Sequence, residues 1–391
     1  CVALACVDGE CVERGVALDD DGDRFAARPC GDDCDDGDPD IFPGAGENCD
    51  GVDQDCDGRI DEDAPGVRAL SVADAMPDAR LVGLEDGYLV VGNRADAPAG
   101  NTLAAYVVAP DGVASLPAQP LGEGLAPEVF ALARAGSEVL LVLSPGPDAP
   151  PERYRLRESG ARWRVVEGPS PIGERPGATA LDALVAEGRE WVLFDTDGPG
   201  GPERWLWRSE APGRLVPLAA SESPPALASD GRHVAVTDGA STVRFFALAD
   251  GREVASRELP GAFAAGPLAS ADGFVYAAYR DAFDHSLTRV RAGEVAMPIT
   301  APAGAPTDAV AVRRAGADVL VLRNDGLEVR AWLLAPDLGR YLGAFQPEEL
   351  APGVGVPEAV SVGVTGRGSV GVLTSGAASS SLAVLACDAA P

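Results

Sequence analysis

Carboxylates at alternate positions around glycine are the residues of this chain best placed to do chemistry. Asp19, Asp21 and Asp23 alternate about Gly22, Asp33, Asp35, Asp36 and Asp38 crowd Gly37, and Asp53, Asp55 and Asp57 run into Gly58. The last run continues through Arg59 and Ile60 to Asp61 and Glu62, so it reads D-x-D-x-D-G-x-I. Oxygen ligands at loop positions 1, 3 and 5, glycine at 6 and an apolar residue at 8 make a calcium loop of the EF-hand kind. Arg59, at position 7, and Glu47 upstream join the candidate ligands. Carboxylate oxygens are hard donors and select Ca2+ over zinc or copper, which prefer nitrogen or sulfur. Position 12, however, is Ala64, where an EF-hand needs a bidentate glutamate, and Asp61, Glu62 and Asp63 come one to three residues early. No amphipathic helix flanks the loop, so a helix–loop–helix unit is not expected. Compact, disulfide-laced calcium repeats of the thrombospondin type 3 kind are the closer physical analogue.

The acids are not spaced like a solvated tether, because cysteines interrupt them. Cys1, Cys6, Cys11, Cys30, Cys34, Cys49 and Cys56 all lie within the first 56 residues, and the eighth, Cys387, stands alone near the other end. A dense N-terminal cluster within an even total of eight predicts disulfides and an oxidising compartment. Seven cysteines cannot all pair among themselves, so a bridge from Cys387 to Cys1, Cys6, Cys11 or Cys30 is expected, with Cys11 favoured. The competing expectation is a lipid anchor on Cys1, as in a bacterial lipoprotein.

Residues 33–62 carry a resemblance. The blocks Asp33-Cys34-Asp35-Asp36, Pro43-Gly44-Ala45-Gly46-Glu47-Asn48-Cys49-Asp50-Gly51 and Asp55-Cys56-Asp57-Gly58 resemble the metal-binding repeat of myxobacterial secreted and surface proteins. Residues 19–25 resemble the segment that commonly leads that repeat, with Arg24 where glycine is usual. The resemblance covers about one eighth of the chain and implies an exported, metal-binding protein. The repeat has been labelled copper-binding, but this copy holds no His or Met. Structural Ca2+ is therefore the expected ion, organising residues 19–63.

Composition removes most other chemistry. All 31 basic residues are Arg, so there is no lysine for a Schiff base or a phosphate loop. His233 and His285 are the two histidines, too few for a catalytic zinc cluster. A net charge of -30 repels nucleic acid, and no apolar run is long enough to span a membrane. The chain is thus not expected to be an enzyme.

Stepping along the chain, charge divides it in two. Residues 1–66 hold 21 acids against four Arg, whereas residues 67–391 hold the other 40 acids and 27 Arg. The second part repeats. Turns ending in Gly87, Gly136, Gly188, Gly231, Gly273, Gly316 and Gly368 lie 42 to 52 residues apart, each followed by a short apolar strand. That spacing and strand order are those of propeller blades, and the segment resembles generic seven-bladed β-propellers, without a family signature. The last repeat is one strand short of four, and residues 67–72 can supply it, which would leave no open edge between first and last blades. The expected fold is therefore all-β: a short Cys-containing segment (1–18), a disulfide-rich calcium module (19–66) and a seven-bladed β-propeller (67–391) whose first and last strands share the closing blade.

Other candidates are weaker. Arg153, Arg155, Arg157, Arg162 and Arg164 alternate along a predicted hairpin and can form a basic face for an anionic glycan or the acidic module; a solvated outer hairpin is favoured. Trp163, Trp205 and Trp207 are expected to pack rather than stack on sugar. Residues 195–198 are expected as a surface turn rather than an ion site, and His285 in a loop near two acids, a thin case for catalysis. The function expected is an exported calcium-binding surface or structural protein, secreted or on the outer cell surface, whose propeller binds other extracellular proteins, glycans or copies of itself. The alternatives are a filament or coat subunit, and a secreted hydrolase or lyase using carboxylate pairs on polysaccharide.

Overall fold

A computed structural model describes the strands at 3–7 and 10–14, residues 19–26, 31–39, 41–45 and 53–58, the strand at 67–72, residues 76–299 apart from short loop segments, and the strands between 309 and 385. For the strands at 3–14, 67–72 and 309–345 it describes the backbone alone. Among the described residues every regular element is a β-strand, and no helix is long and apolar enough to cross a membrane.

A hairpin comes first, Ala3–Val7 against Glu10–Arg14, with Cys6 opposite Cys11. Seven four-stranded antiparallel sheets follow among the described residues. The first comprises Arg80–Gly83, Tyr88–Asn93, Leu103–Val108 and Gln119–Pro120. In the second, Phe130–Ala135 is innermost, then Glu138–Leu143, Glu152–Ser159 and Arg162–Pro171 at the outer edge. The third (178–218), fourth (227–258), fifth (264–299) and sixth (309–345) keep this order. The seventh joins Ala359–Val364, Val370–Ser375 and Ser380–Leu385 to Val67–Val72, with Val67 opposite Leu385 and Val72 opposite Ser380. The innermost strand of each sheet neighbours that of the next, and that of the seventh neighbours that of the first, so the sheets close a ring.

Sheet-on-sheet packing explains the sequence pattern. Where side chains are described, the second strand of a sheet is covered on both faces and so reads as an apolar run; Val139, Leu140, Leu141 and Val142 are all fully buried. Alternate side chains serve different neighbours. Leu141 packs with Leu89 and Leu103 of the first sheet, whereas Leu140 and Val142 pack with Val192 and Phe194 of the third. The outer strand Glu253–Glu258, by contrast, faces solvent and is polar. The turn glycines are there for their backbone: Gly188 has φ +75°, and the preceding Glu187 is also left-handed at +49°. Gly83 serves closure instead. A Cβ there would lie 1.9 Å from the Val364 carbonyl oxygen of the seventh sheet, so only glycine permits this approach of first to last sheet. Leu81 N donates to Ser361 Oγ at 2.8 Å across the same seam.

Two local expectations are corrected. His285 is on a strand, not in a loop: Asp284–Val290 pairs with Phe274–Asp281, placing Arg280 opposite His285. Residues 195–198 are the end of the strand Arg189–Gly198, not a surface turn. In both, the antiparallel ladder continues through residues whose side chains favour turns, because pairing satisfies the backbone.

Candidate metal centre

Residues 19–24 and 53–58 fold alike. Asp19 Oδ2 accepts from Arg24 N at 3.1 Å, and Asp53 Oδ2 accepts from Gly58 N at 3.0 Å. Asp21 Oδ1 accepts from Asp23 N, and Asp55 Oδ1 from Asp57 N, each at 3.1 Å. Both loops turn left-handed at their fourth and sixth residues, with φ of +90° and +87° at Gly22 and Arg24 and +60° and +92° at Cys56 and Gly58. Each loop therefore brings its three alternating carboxylates to one point. One oxygen each from Asp19, Asp21 and Asp23 lies within 4.8 Å of the others, and the same holds for Asp53, Asp55 and Asp57. That span lets a single ion touch all three at Ca2+–oxygen distances of about 2.3–2.6 Å.

A third group crosses between loops. Asp21 comes within the same limit of Asp33 and Asp36, and Asp20 N donates to Asp36 Oδ1 at 3.2 Å. Backbone bonds hold the pieces in place: Asp33 N to Ala26 O (3.2 Å), Phe42 N to Gln54 O (2.8 Å) and Gly44 N to Asp55 O (3.2 Å). Phe25 stacks on Phe42 with ring centroids 5.2 Å apart. The Cys34–Cys56 disulfide joins the loop that carries Asp33 to the loop of Asp55 and Asp57.

Electrostatically these loops are unfinished. Asp21 Oδ2, Asp23 Oδ2, Asp33 Oδ2 and Asp53 Oδ1 are buried atoms with no hydrogen-bond partner. Burial raises the pKa of Asp21, opposed by the bond from Asp23 N and reinforced by the charges of Asp23, Asp33 and Asp19. Asp53 is raised by burial and by Asp55 and Asp57, against the bond from Gly58 N. Buried carboxylate oxygens that converge with no hydrogen-bond donor among them fit a hard cation, which takes oxygen ligands at this spacing. The nearby sulfurs of Cys34 and Cys56 are spent in their bridge, so among the described residues the donors offered are oxygens.

Not every expected ligand joins these clusters. Asp35 and Asp38 are exposed and lie in none of them; Asp35 Oδ1 instead accepts from Gly37 N at 3.4 Å. Glu47, Arg59, Asp61 and Glu62 lie outside the described residues, as do Cys1, Cys30, Cys49, Cys387 and the side chains of Cys6 and Cys11. The expected bridge to Cys387 falls there too.

The basic face of the hairpin is divided. Arg153 and Arg155 both hold Glu190 of the third sheet, which is 3% exposed, with Arg153 at 3.2 Å, and Arg157 pairs with Glu138. Arg162 and Arg164 are exposed, beside a cavity of about 470 Å³ that Trp163 also lines. Trp163 and Trp207 are buried in the sheet interfaces, and Arg175 covers Trp205 at 4.2 Å. Asp195 forks onto Arg204, directly opposite it on the next strand, at 2.7 and 2.8 Å, and Arg204 reaches Thr237 of the fourth sheet at 3.0 Å. Sequence reading missed this buried pair, since only the register brings the two together. His233 is held by Asp230, with Nδ1 3.0 Å from Oδ2.

The inner strands enclose a channel of about 600 Å³. Its described lining is mainly Leu, Val, Ala and Gly, with Asp182 as its carboxylate, and Asp182 Oδ2 already accepts from Leu227 N at 2.7 Å. Arg80 stands in the same channel, its pKa lowered by burial against the opposing charges of Asp78 and Asp182.

Comparison with known proteins agrees with both parts of this picture. The family model Cu-binding_MopE, described as "Putative metal-binding motif", matches residues 33–62. No curated protein matches the chain. Among solved structures, a streptogramin B lyase is similar at TM-score 0.51 and 11% identity, over 81% of this chain and 96% of that one. The WD40 β-propeller domain of Doa1 is similar at TM-score 0.51 and 12% identity, over 81% of this chain and 95% of that one. At such identities the likeness is one of fold: the chain is all-β with propeller-like neighbours, preceded by a metal-binding motif with a Cys34–Cys56 disulfide.

Proposed function

We propose that this is an exported, calcium-stabilised binding protein, divided into a short leading segment (1–18), a calcium module (19–66) and a closed seven-bladed β-propeller (67–391) that serves as an interaction platform. The observation that carries the calcium reading is the set of buried, unpartnered oxygens on Asp21, Asp23, Asp33 and Asp53. Among the described residues the available donors are oxygens, which suit a hard cation, whereas copper would want nitrogen or sulfur. When bound, the ion supplies charge neutralisation and a fixed geometry, not a reaction. Asp19, Asp21, Asp23, Asp33 and Asp36 would form one set of ligands, and Asp53, Asp55 and Asp57 another. Export rests on the Cys34–Cys56 bridge, since such bonds persist in oxidising compartments. A non-catalytic platform is favoured over a hydrolase or lyase by the channel, where Asp182 lacks a second carboxylate among the described lining and its oxygen is engaged by Leu227 N. Its surface partners would be extracellular proteins, glycans or further copies of the chain.

Calorimetric titration of the disulfide-intact chain tests this reading. Calcium should bind saturably at about 0.1–1 mM, the range of extracellular calcium modules, and Cu+ should not displace it. Absence of calcium uptake at about 10 mM, or displacement by stoichiometric Cu+, would overturn it.

A further inference from the structure

Two carboxylate groups in the module share one residue. Asp21 belongs both to the triad with Asp19 and Asp23 and to the triad with Asp33 and Asp36, each with its oxygens within 4.8 Å. The two triads reach Asp21 from different parts of the chain, the first from its own loop and the second from across the loop junction. We propose that the module binds three divalent cations: a pair bridged by the Asp21 carboxylate, and a third held by Asp53, Asp55 and Asp57 alone. This rests on the calcium reading and adds to it the number of ions and the way they are shared.

The second triad stands on more than its acidity. Asp33 is only 1% exposed, and although its Oδ1 accepts from Asp35 N at 2.9 Å, its Oδ2 is buried without a partner. A carboxylate oxygen buried there is costly unless something satisfies it. The neighbours that could do so are the equally acidic Asp21 and Asp36, and among the described residues no Arg forms an ion pair with any of the three. Asp21 has an oxygen to offer each side: Oδ1 is oriented by Asp23 N and keeps a second lone pair, while Oδ2 is unpartnered.

Charge decides between one ion and two. Asp19, Asp21, Asp23, Asp33 and Asp36 together carry five negative charges. One divalent cation would leave three of them uncompensated in a partly desolvated cluster, whereas two leave one. Coordination agrees, because a single Ca2+ with three loop carboxylates completes its six to eight oxygens with backbone carbonyls and water. It has no need of the buried Asp33 and of Asp36 as well. The outcome is that the first ion position lies on residues ahead of the matched motif, and the bridge ties that leading loop to the motif itself.

Native mass spectrometry of the full, disulfide-intact chain with calcium alone as the probe tests the count. Three bound ions are expected at saturation, two in Asp33→Asn, two in Asp55→Asn and one in Asp21→Asn. A wild-type maximum of two ions, or loss of a single ion from Asp21→Asn, would overturn the bridged pair while leaving the calcium reading intact. No bound calcium in the wild type would overturn both. Should Asp21→Asn misfold, Asp36→Asn and Asp33→Asn still decide, because each must lose one ion and keep two.

Discussion

The acidic loops and the sheets hold their shape by opposite means. In the sheets, side chains such as Leu140, Leu141 and Trp191 are fully buried, and the interfaces between neighbouring sheets whose side chains are described are apolar clusters. In residues 19–58 the described apolar burial amounts to little more than Ala26, Ile41 and Cys56, with the Phe25–Phe42 stack beside them. Hydrophobic burial of about 25 cal/mol per Å² offsets chain entropy where there is area to bury. Where there is not, a crosslink and a bound ion must do it, as in small extracellular modules generally. The two regions should therefore fail under different insults.

Removing calcium should separate them most widely. A chelator is expected to raise proteolysis between residues 30 and 63 many-fold while the main thermal transition stays within a few degrees. Equal protease resistance with and without chelator would erase the distinction. The reverse experiment attacks the sheets. Asp195→Asn removes the carboxylate charge that faces the buried Arg204 guanidinium, and breaking a buried ion pair costs about 3–5 kcal/mol. The main transition should drop while the calcium stoichiometry is unchanged, and altered stoichiometry would mean that the regions are coupled.

Replacing Cys34 and Cys56 together by Ala should weaken the module by about 2–4 kcal/mol, since a bridge between residues 22 apart restrains the unfolded chain. It would show as a loss of calcium affinity with no shift of the main transition; a shift in that transition instead would place the bridge's contribution in the sheets. The smallest effect expected is a gain. Arg24 sits at φ +87° where the companion loop has Gly58, so Arg24→Gly relieves about 0.5–1 kcal/mol of backbone strain. Calcium affinity should rise by up to about fivefold, and an unchanged or weaker affinity would show that the two loops are not equivalent when loaded.

What could be read from sequence depended on distance along the chain. Glycine turns at Gly136, Gly188 and Gly231 mark hairpins because the left-handed turn and its flanking strands are contiguous. The pairing of Val67–Val72 with Ser380–Leu385 was legible from a strand missing in the last repeat. Two of the carboxylate triads were legible too, since Asp19, Asp21 and Asp23, like Asp53, Asp55 and Asp57, alternate within a single loop. The basic face was misjudged in part, because Glu190, which neutralises Arg153 and Arg155, belongs to another sheet.

Residue order by itself determined most of the strands, their turns and the acidic loops, all of which depend on neighbours a few positions away. The tertiary structure alone decided which side chains from separate segments meet. It set Asp195 against Arg204 and on to Thr237, brought Gly83 against Val364, and aimed Asp33 at Asp21. The physical reason is that burial and charge pairing act through space. An aspartate's spacing says that it can bind a cation, but only packing strips its oxygen of water and of every other partner, and so creates the need for one.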